Sequence, residues 1–152
     1  LGIEKELFTV ATGEVIALTD VNDPVFSQKM MGDGFAVIPA TGEVTAPLSG
    51  KIVSVFPTKH AIGMQTAEGA EVLIHMGLDT VQMSQPAFEI LVSEGQEVVA
   101  GTTIAQMNLD AIKNEGKETT IIVVFTDDKV NGLTINKLGD TERGTVIGKI
   151  NL

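Results

Sequence analysis

The chain of 152 residues has no cysteine, no tyrosine, no tryptophan and only two histidines. Without cysteine there are no disulfides, thiol nucleophiles or zinc–thiolate sites. No apolar run reaches the length of about 18 residues that a membrane-spanning helix needs, so no direct membrane insertion is expected. Basic residues are few: 10 Lys and Arg stand against 20 Asp and Glu, for a formal charge of −10. That balance repels phosphate backbones and anionic membrane surfaces, so nucleic acid is not an expected partner, whereas a basic protein face is favoured. The start, Leu1-Gly2-Ile3-Glu4-Lys5, has no initiator Met and no signal-peptide shape. A fragment, a processed chain or a module cut from a longer one each explains it.

Val, Ile, Thr and Gly are plentiful, which suits short twisted strands joined by tight turns. Strand-like segments recur at Val10–Leu18, Phe35–Pro39, Gly50–Phe56, Ala61–Thr66, Glu71–His75, Phe88–Leu91, Thr103–Met107, Thr120–Phe125 and Thr145–Ile150. Turn residues separate them, as in Met31-Gly32-Asp33-Gly34 and Asp127-Asp128-Lys129-Val130-Asn131-Gly132. The pattern predicts an all-β antiparallel sandwich or barrel with short helical turns, in one domain over residues 1–152. One helical turn is expected at Asp23-Pro24-Val25-Phe26, and a second at Leu109–Lys113 capped by Asn108. Thr12-Gly13-Glu14-Val15-Ile16 echoes Ser49-Gly50-Lys51-Ile52-Val53, and the stretch Gly95–Thr102 echoes Gly139–Thr145. Two similar half-sheets would produce such echoes.

The two histidines flank a turn. Thr66-Ala67-Glu68-Gly69 reads as type I with Gly in the last place. If it centres between Ala67 and Glu68, His60 and His75 are directly opposed across a hairpin, with Cβ atoms roughly 4.5–5.5 Å apart. A one-residue slip would send the rings to opposite faces. Imidazole is a nucleophile and proton acceptor near neutral pH, and one nitrogen carries a labile group while a hydrogen bond fixes the other. A transferable phosphoryl group needs such a nitrogen, nearby donors and no strong positive trap. The second imidazole and the amides of Met76-Gly77-Leu78 supply donors. Thr58, two residues before His60, is placed to fix its tautomer. Asp79 is placed to orient a ring, to cap a turn through the Thr80 and Val81 amides, or to tune departure of the group. The residues alone leave open which ring is loaded.

Five segments carry a resemblance: Pro57-Thr58-Lys59-His60-Ala61-Ile62-Gly63, Ile74-His75-Met76-Gly77-Leu78-Asp79-Thr80-Val81, Gly32-Asp33-Gly34-Phe35-Ala36-Val37, Ala46-Pro47-Leu48-Ser49-Gly50 and Glu94-Gly95-Gln96-Glu97-Val98. Together they resemble the glucose-type enzyme IIA domain of the bacterial phosphoenolpyruvate-dependent sugar phosphotransferase system. The resemblance implies a duplicated β-sandwich and a cytoplasmic phosphocarrier that works without a cofactor. It implies phosphorylation of His75 on Nε2, with Nδ1 held by a backbone carbonyl near Gly77. His60 would steady the phosphoryl group, and Thr58 would orient His60. The donor would be phosphorylated HPr, the acceptor a cysteine of a sugar permease's IIB domain, and some relatives also regulate other proteins. Ser84-Gln85-Pro86-Ala87-Phe88 departs from the family's glycines here, which predicts a stiffer loop.

A carrier must expose its histidine in a depression that two proteins cover in turn. The apolar rim is expected from Val25, Phe26, Met30, Phe35, Phe56, Met76 and Val81, with Val25, Phe26 and Val81 the most exposed. Zinc is a rival chemistry: His75 and Asp79 have a ligand-like spacing and His60 would be a third ligand. A zinc hydrolase would also need a further histidine as base, and none remains. Adventitious or regulatory zinc at His60 and His75 is compatible with the carrier. A biotinyl-type carrier lacks its lysine at the Gly95–Gly101 hairpin.

Overall fold

In the computed structural model, which describes residues 2–152, fourteen strands, two short α-helices and one 3-10 turn (Leu18–Asp20) follow one another. They are β1 (Glu4–Phe8), β2 (Gly13–Ala17), α1 (Pro24–Ser27), β3 (Asp33–Pro39), β4 (Glu43–Thr45), β5 (Gly50–Val55), β6 (Ala61–Gln65) and β7 (Glu71–Met76). Then come β8 (Phe88–Ile90), β9 (Glu97–Val98), β10 (Thr103–Met107), α2 (Leu109–Asn114), β11 (Ile121–Phe125), β12 (Gly132–Ile135), β13 (Gly139–Thr141) and β14 (Val146–Asn151). Each of the nine expected segments contains a strand. The additional ones, β1, β4, β9, β12 and β13, are charged or have two to four residues, too few to show a period of two. Both helical turns occur where expected. Asp23 caps α1 by accepting from the Val25 amide at 2.9 Å, and Asn108 caps α2 by accepting from Ala111 at 3.0 Å.

All strand pairs are antiparallel. One eight-stranded sheet runs β13-β2-β3-β11-β7-β6-β5-β9, and two three-stranded sheets run β1-β14-β12 and β4-β10-β8. The order is palindromic: β2 and β5 occupy matching places, as do β13 and β9, β3 and β6, and β11 and β7. The small sheets match in the same way. The sequence echoes fall on those pairs, one joining β2 to β5 and the other the β9 and β13 segments. The fold is thus a β-sandwich of two like units, with β4–β10 inserted between β3 and β11 of the other. The centre of the large sheet is the β11–β7 pair.

That centre is apolar on both faces. β11, Ile121-Ile122-Val123-Val124-Phe125, is buried throughout, as a strand covered on two sides must be. Ile121, Val123 and Phe125 join the main core with Phe35, Ile62, Ile74 and Met76. Ile122 and Val124 point the other way, into a smaller cluster with Leu18, Val21, Phe26, Ala36 and Leu78. His75 lies on this second face, beside Ile122 in the β7–β11 ladder. Replacing the fully buried Ile122 with Ala should cost about 2–5 kcal/mol of stability in urea unfolding. A cost below about 1 kcal/mol would show that this cluster does not pack as described.

Candidate functional site

The hairpin register differs by one residue from the expected one. His75 pairs with Ala61, and Ile74 with Ile62. The cause is the turn. Gly69 N–H donates to Thr66 O at 2.9 Å, as in a type I turn, but Gly69 itself adds a left-handed residue (φ 93) before Thr66 N–H reaches Ala70 O at 2.9 Å. A three-residue loop centred on Glu68 replaces the symmetric one. The slip does not separate the rings, because His60 is not in a strand. It ends the four-residue loop Pro57–His60, where Lys59 is left-handed (φ 63) and donates to Phe56 O at 2.7 Å. Strand alternation stops at Ala61, and the His60 ring turns to the His75 side.

The ring centroids of His60 and His75 lie 4.9 Å apart, with planes at 80°. Phe26 packs against His75 at 5.1 Å and Phe56 edge-on to His60 at 5.5 Å, so the four rings form a row. His75 Nδ1 is 2.8 Å from Gly77 O. A carbonyl only accepts, so Nδ1 carries the proton and Nε2 keeps its lone pair. The His60 Nδ1 is hydrogen-bonded to the Thr58 hydroxyl. Each ring therefore has Nδ1 engaged locally and Nε2 left over.

The carbonyl that holds His75 is held in turn. Gly77 has φ 83, its N–H donates to Thr120 O at 2.9 Å, and Leu78 N–H donates to Glu118 O at 3.0 Å. The buried Thr80 hydroxyl donates to Met76 O at 2.6 Å and closes the turn. Asp79 follows in a left-handed conformation (φ 58) with its side chain exposed. The turn is capped by Thr80 rather than by Asp79.

Burial pushes the His75 imidazole down to about 4, helped by the neighbouring His60; the Gly77 carbonyl and the charges of Asp23 and Asp79 oppose this only in part. Burial also lowers His60. Both rings are therefore neutral near pH 7, with no cationic trap between them.

Three expected rim residues are not at the surface. Phe35 and Met76 are fully buried in the main core, because β3 and β7 alternate and these positions face inward. Phe26 is only 7% exposed: α1 is a single turn that aims it onto His75 and the second cluster while Val25 points out. Val25, Met30, Phe56 and Val81 are exposed. Among the described residues no group of three or more metal-ligating side chains is assembled, so His60, His75 and Asp79 do not form the trio a zinc hydrolase requires. Sequence reasoning missed Asp23 as a charge near His75 and Thr80 as the closure of its turn. The four-residue spacing of Thr80 from Met76 was the available signal.

The fold and this face define a class, the glucose-type IIA proteins. A solved glucose permease IIA from Mycoplasma capricolum superposes with a TM-score of 0.90 at 37% identity, covering 97% of this chain and 96% of that one. The chain belongs to the phosphoenolpyruvate-dependent sugar phosphotransferase system EIIA 1 family, whose model matches residues 5–130. A glucose-specific EIICBA component of Streptococcus pneumoniae is 48% identical over 151 residues, 99% of this chain and 21% of that protein. A glucose-specific EIIA component of Staphylococcus aureus is 46% identical over 127 residues, 82% of this chain and 76% of that protein. The chain thus spans about a fifth of the pneumococcal relative. Among the described residues no helix is long and apolar enough to cross a membrane.

Two outcomes follow from this geometry. A Cβ at Gly77 would lie 2.5 Å from Thr80 Cγ2 and 3.1 Å from Glu118 O. Gly77→Ala should therefore open the turn and give His75 a mixture of tautomers by nitrogen NMR, and a single unchanged tautomer would contradict the carbonyl's role. In the wild type, NMR titration should place the His75 midpoint about 4, below its ordinary 6.5. The unfolded chain binds that proton first, so stability should be full above 6.5 and fall as the pH drops towards 4. A midpoint at the ordinary value contradicts the burial account.

Proposed function

We propose that the chain is a phosphocarrier domain, acting as one unit in the cytoplasm. It takes a phosphoryl group from phosphorylated HPr onto His75 Nε2 and passes it to the IIB domain of a sugar permease. The observation that carries this reading is the Nδ1–H of His75 donating to Gly77 O, which leaves Nε2 as the ring's only nucleophilic nitrogen. The Nε2 lone pair attacks phosphorus, the donor's P–N bond breaks, and its electron pair returns to the donor imidazole. Passing the group on reverses the process: an acceptor cysteine sulfur attacks, and the P–N bond to His75 breaks.

With the Thr58 hydroxyl donating to Nδ1 of His60, Nε2 of His60 bears the proton and donates to a phosphoryl oxygen. Two neutral rings suit a carrier, because a fixed cation would hold the phosphate too tightly. The carboxylates of Asp23 and Asp79 nearby favour its departure by repulsion. Val25, Met30, Phe56 and Val81 offer an apolar rim for a partner that excludes water while donor and acceptor align. The acidic surface suits a basic donor face and leaves room for regulatory partners. The pneumococcal relative's name, EIICBA, supports a IIB acceptor.

Incubation with phosphoenolpyruvate, enzyme I and HPr should give one acid-labile phosphohistidine. It should vanish in His75→Ala, while His60→Gln should load phosphate but transfer it about a hundredfold more slowly. Loading of His75→Ala but not of His60→Ala would reverse the two roles, and unimpaired transfer by His60→Gln would remove His60 from the mechanism.

A further inference from the structure

The stretch leading from α2 into β11 is hydrogen-bonded to three segments near His75: the Gly77–Leu78 turn, Asn22 before α1, and Ser84–Gln85. α2 ends in a left-handed cap: Gly116 (φ 74) donates to Lys113 O at 2.9 Å, and Lys117 N–H donates to Ile112 O at 3.2 Å. Ile112 is fully buried, so this end of the helix is anchored in the core. From there the bonds fan out in three directions. The Glu115 carboxylate accepts from the consecutive amides of Ser84, at 3.0 Å, and Gln85, at 3.2 Å. The Glu118 carboxylate accepts from Asn22 Nδ2 at 2.8 Å. The carbonyls of Glu118 and Thr120 hold Leu78 and Gly77, as described above.

These contacts reach two segments that carry exposed apolar residues near His75. Asn22 adjoins Asp23 and α1, which carries the exposed Val25. Ser84 and Gln85 belong to the irregular stretch between β7 and β8, which carries the exposed Val81. With Thr58 and Lys59 that stretch lines a groove of about 370 Å³. It lacks ladder hydrogen bonds, so a carboxylate accepting two adjacent amides is a strong local constraint. The Ser84 amide holds the Glu115 carboxyl below the usual carboxylate range. Neither glutamate is paired with an imidazole.

We propose that Glu115, Glu118 and Asn22 are positioning residues that set the spacing of these two segments around His75. They govern how a protein donor seats on the site, not the reactivity of the ring. The inference rests on the phosphocarrier reading, and two donors separate the two ideas: phosphorylated HPr, which needs the docking face, and phosphoramidate, a small phosphoryl donor that does not.

In Glu115→Ala and Asn22→Ala, KM for phosphorylated HPr should rise roughly 3–10-fold with kcat within about twofold of wild type. Loading by phosphoramidate should be unchanged. Glu115→Gln keeps one acceptor oxygen and should recover part of the loss. An unchanged KM overturns the proposal, and so does an equal fall with both donors, since that places the effect on His75 or on folding. If the wild type loads from neither donor, the phosphocarrier reading fails instead.

Discussion

The hydrogen bond from His75 Nδ1 to the Gly77 carbonyl is the constraint on which the rest of this face depends. It selects a tautomer, and the tautomer selects the nitrogen that keeps its lone pair. A carbonyl two residues along the chain reaches back to the ring only if the backbone between them turns sharply. That turn uses the left-handed conformation at Gly77 and the Thr80 hydroxyl under Met76. Its outer edge is stitched to Glu118 and Thr120, residues that lead into the most buried strand of the protein. A local chemical property of one ring is therefore referred back to the centre of the sandwich.

Burial acts in the same direction as geometry. A sheet covered on one side only would leave His75 in water, free to protonate near its ordinary value. Here α1 and the Leu18 turn cover the second face of β3, β11 and β7, and Phe26 closes over the imidazole. The resulting loss of hydration keeps His75 neutral, and the nearby acids only partly oppose it. Two neutral rings lie side by side without a fixed positive charge between them. The row Phe26–His75–His60–Phe56 accomplishes this with very few aromatic residues.

The duplicated architecture explains why the site lies where it does. Inserting one unit between the third and fourth strands of its counterpart brings β7 and β11, far apart in sequence, together at the middle of the large sheet. His75 and its neighbour Ile122 meet at that seam. The loops that flank the seam come from unrelated stretches of chain, and the segment after α2 is hydrogen-bonded to three of them. Leu18, Val21 and Phe26 pack with Leu78 in the second cluster, and the polar contacts from the segment after α2 add to that packing.

Much of this was legible in the chain itself. Alternation and turn residues located nine strands, caps located both helical turns, and the two histidines marked the site. The rest depended on long-range effects. Pattern cannot tell an inward Phe35 or Met76 from an outward one without knowing which face is covered, nor foresee that a single turn of helix would aim Phe26 at a ring. The hairpin register was misjudged because a left-handed Gly69 adds a residue to the loop, and the error left the site intact only because Lys59 breaks the strand before His60. The sequence by itself determined an all-β fold and a pair of imidazoles at one hairpin, because periodicity and residue chemistry are local properties. Which nitrogen is free, how dry the rings are and what braces the loops were decided by tertiary structure alone, because each depends on groups brought together from distant parts of the chain.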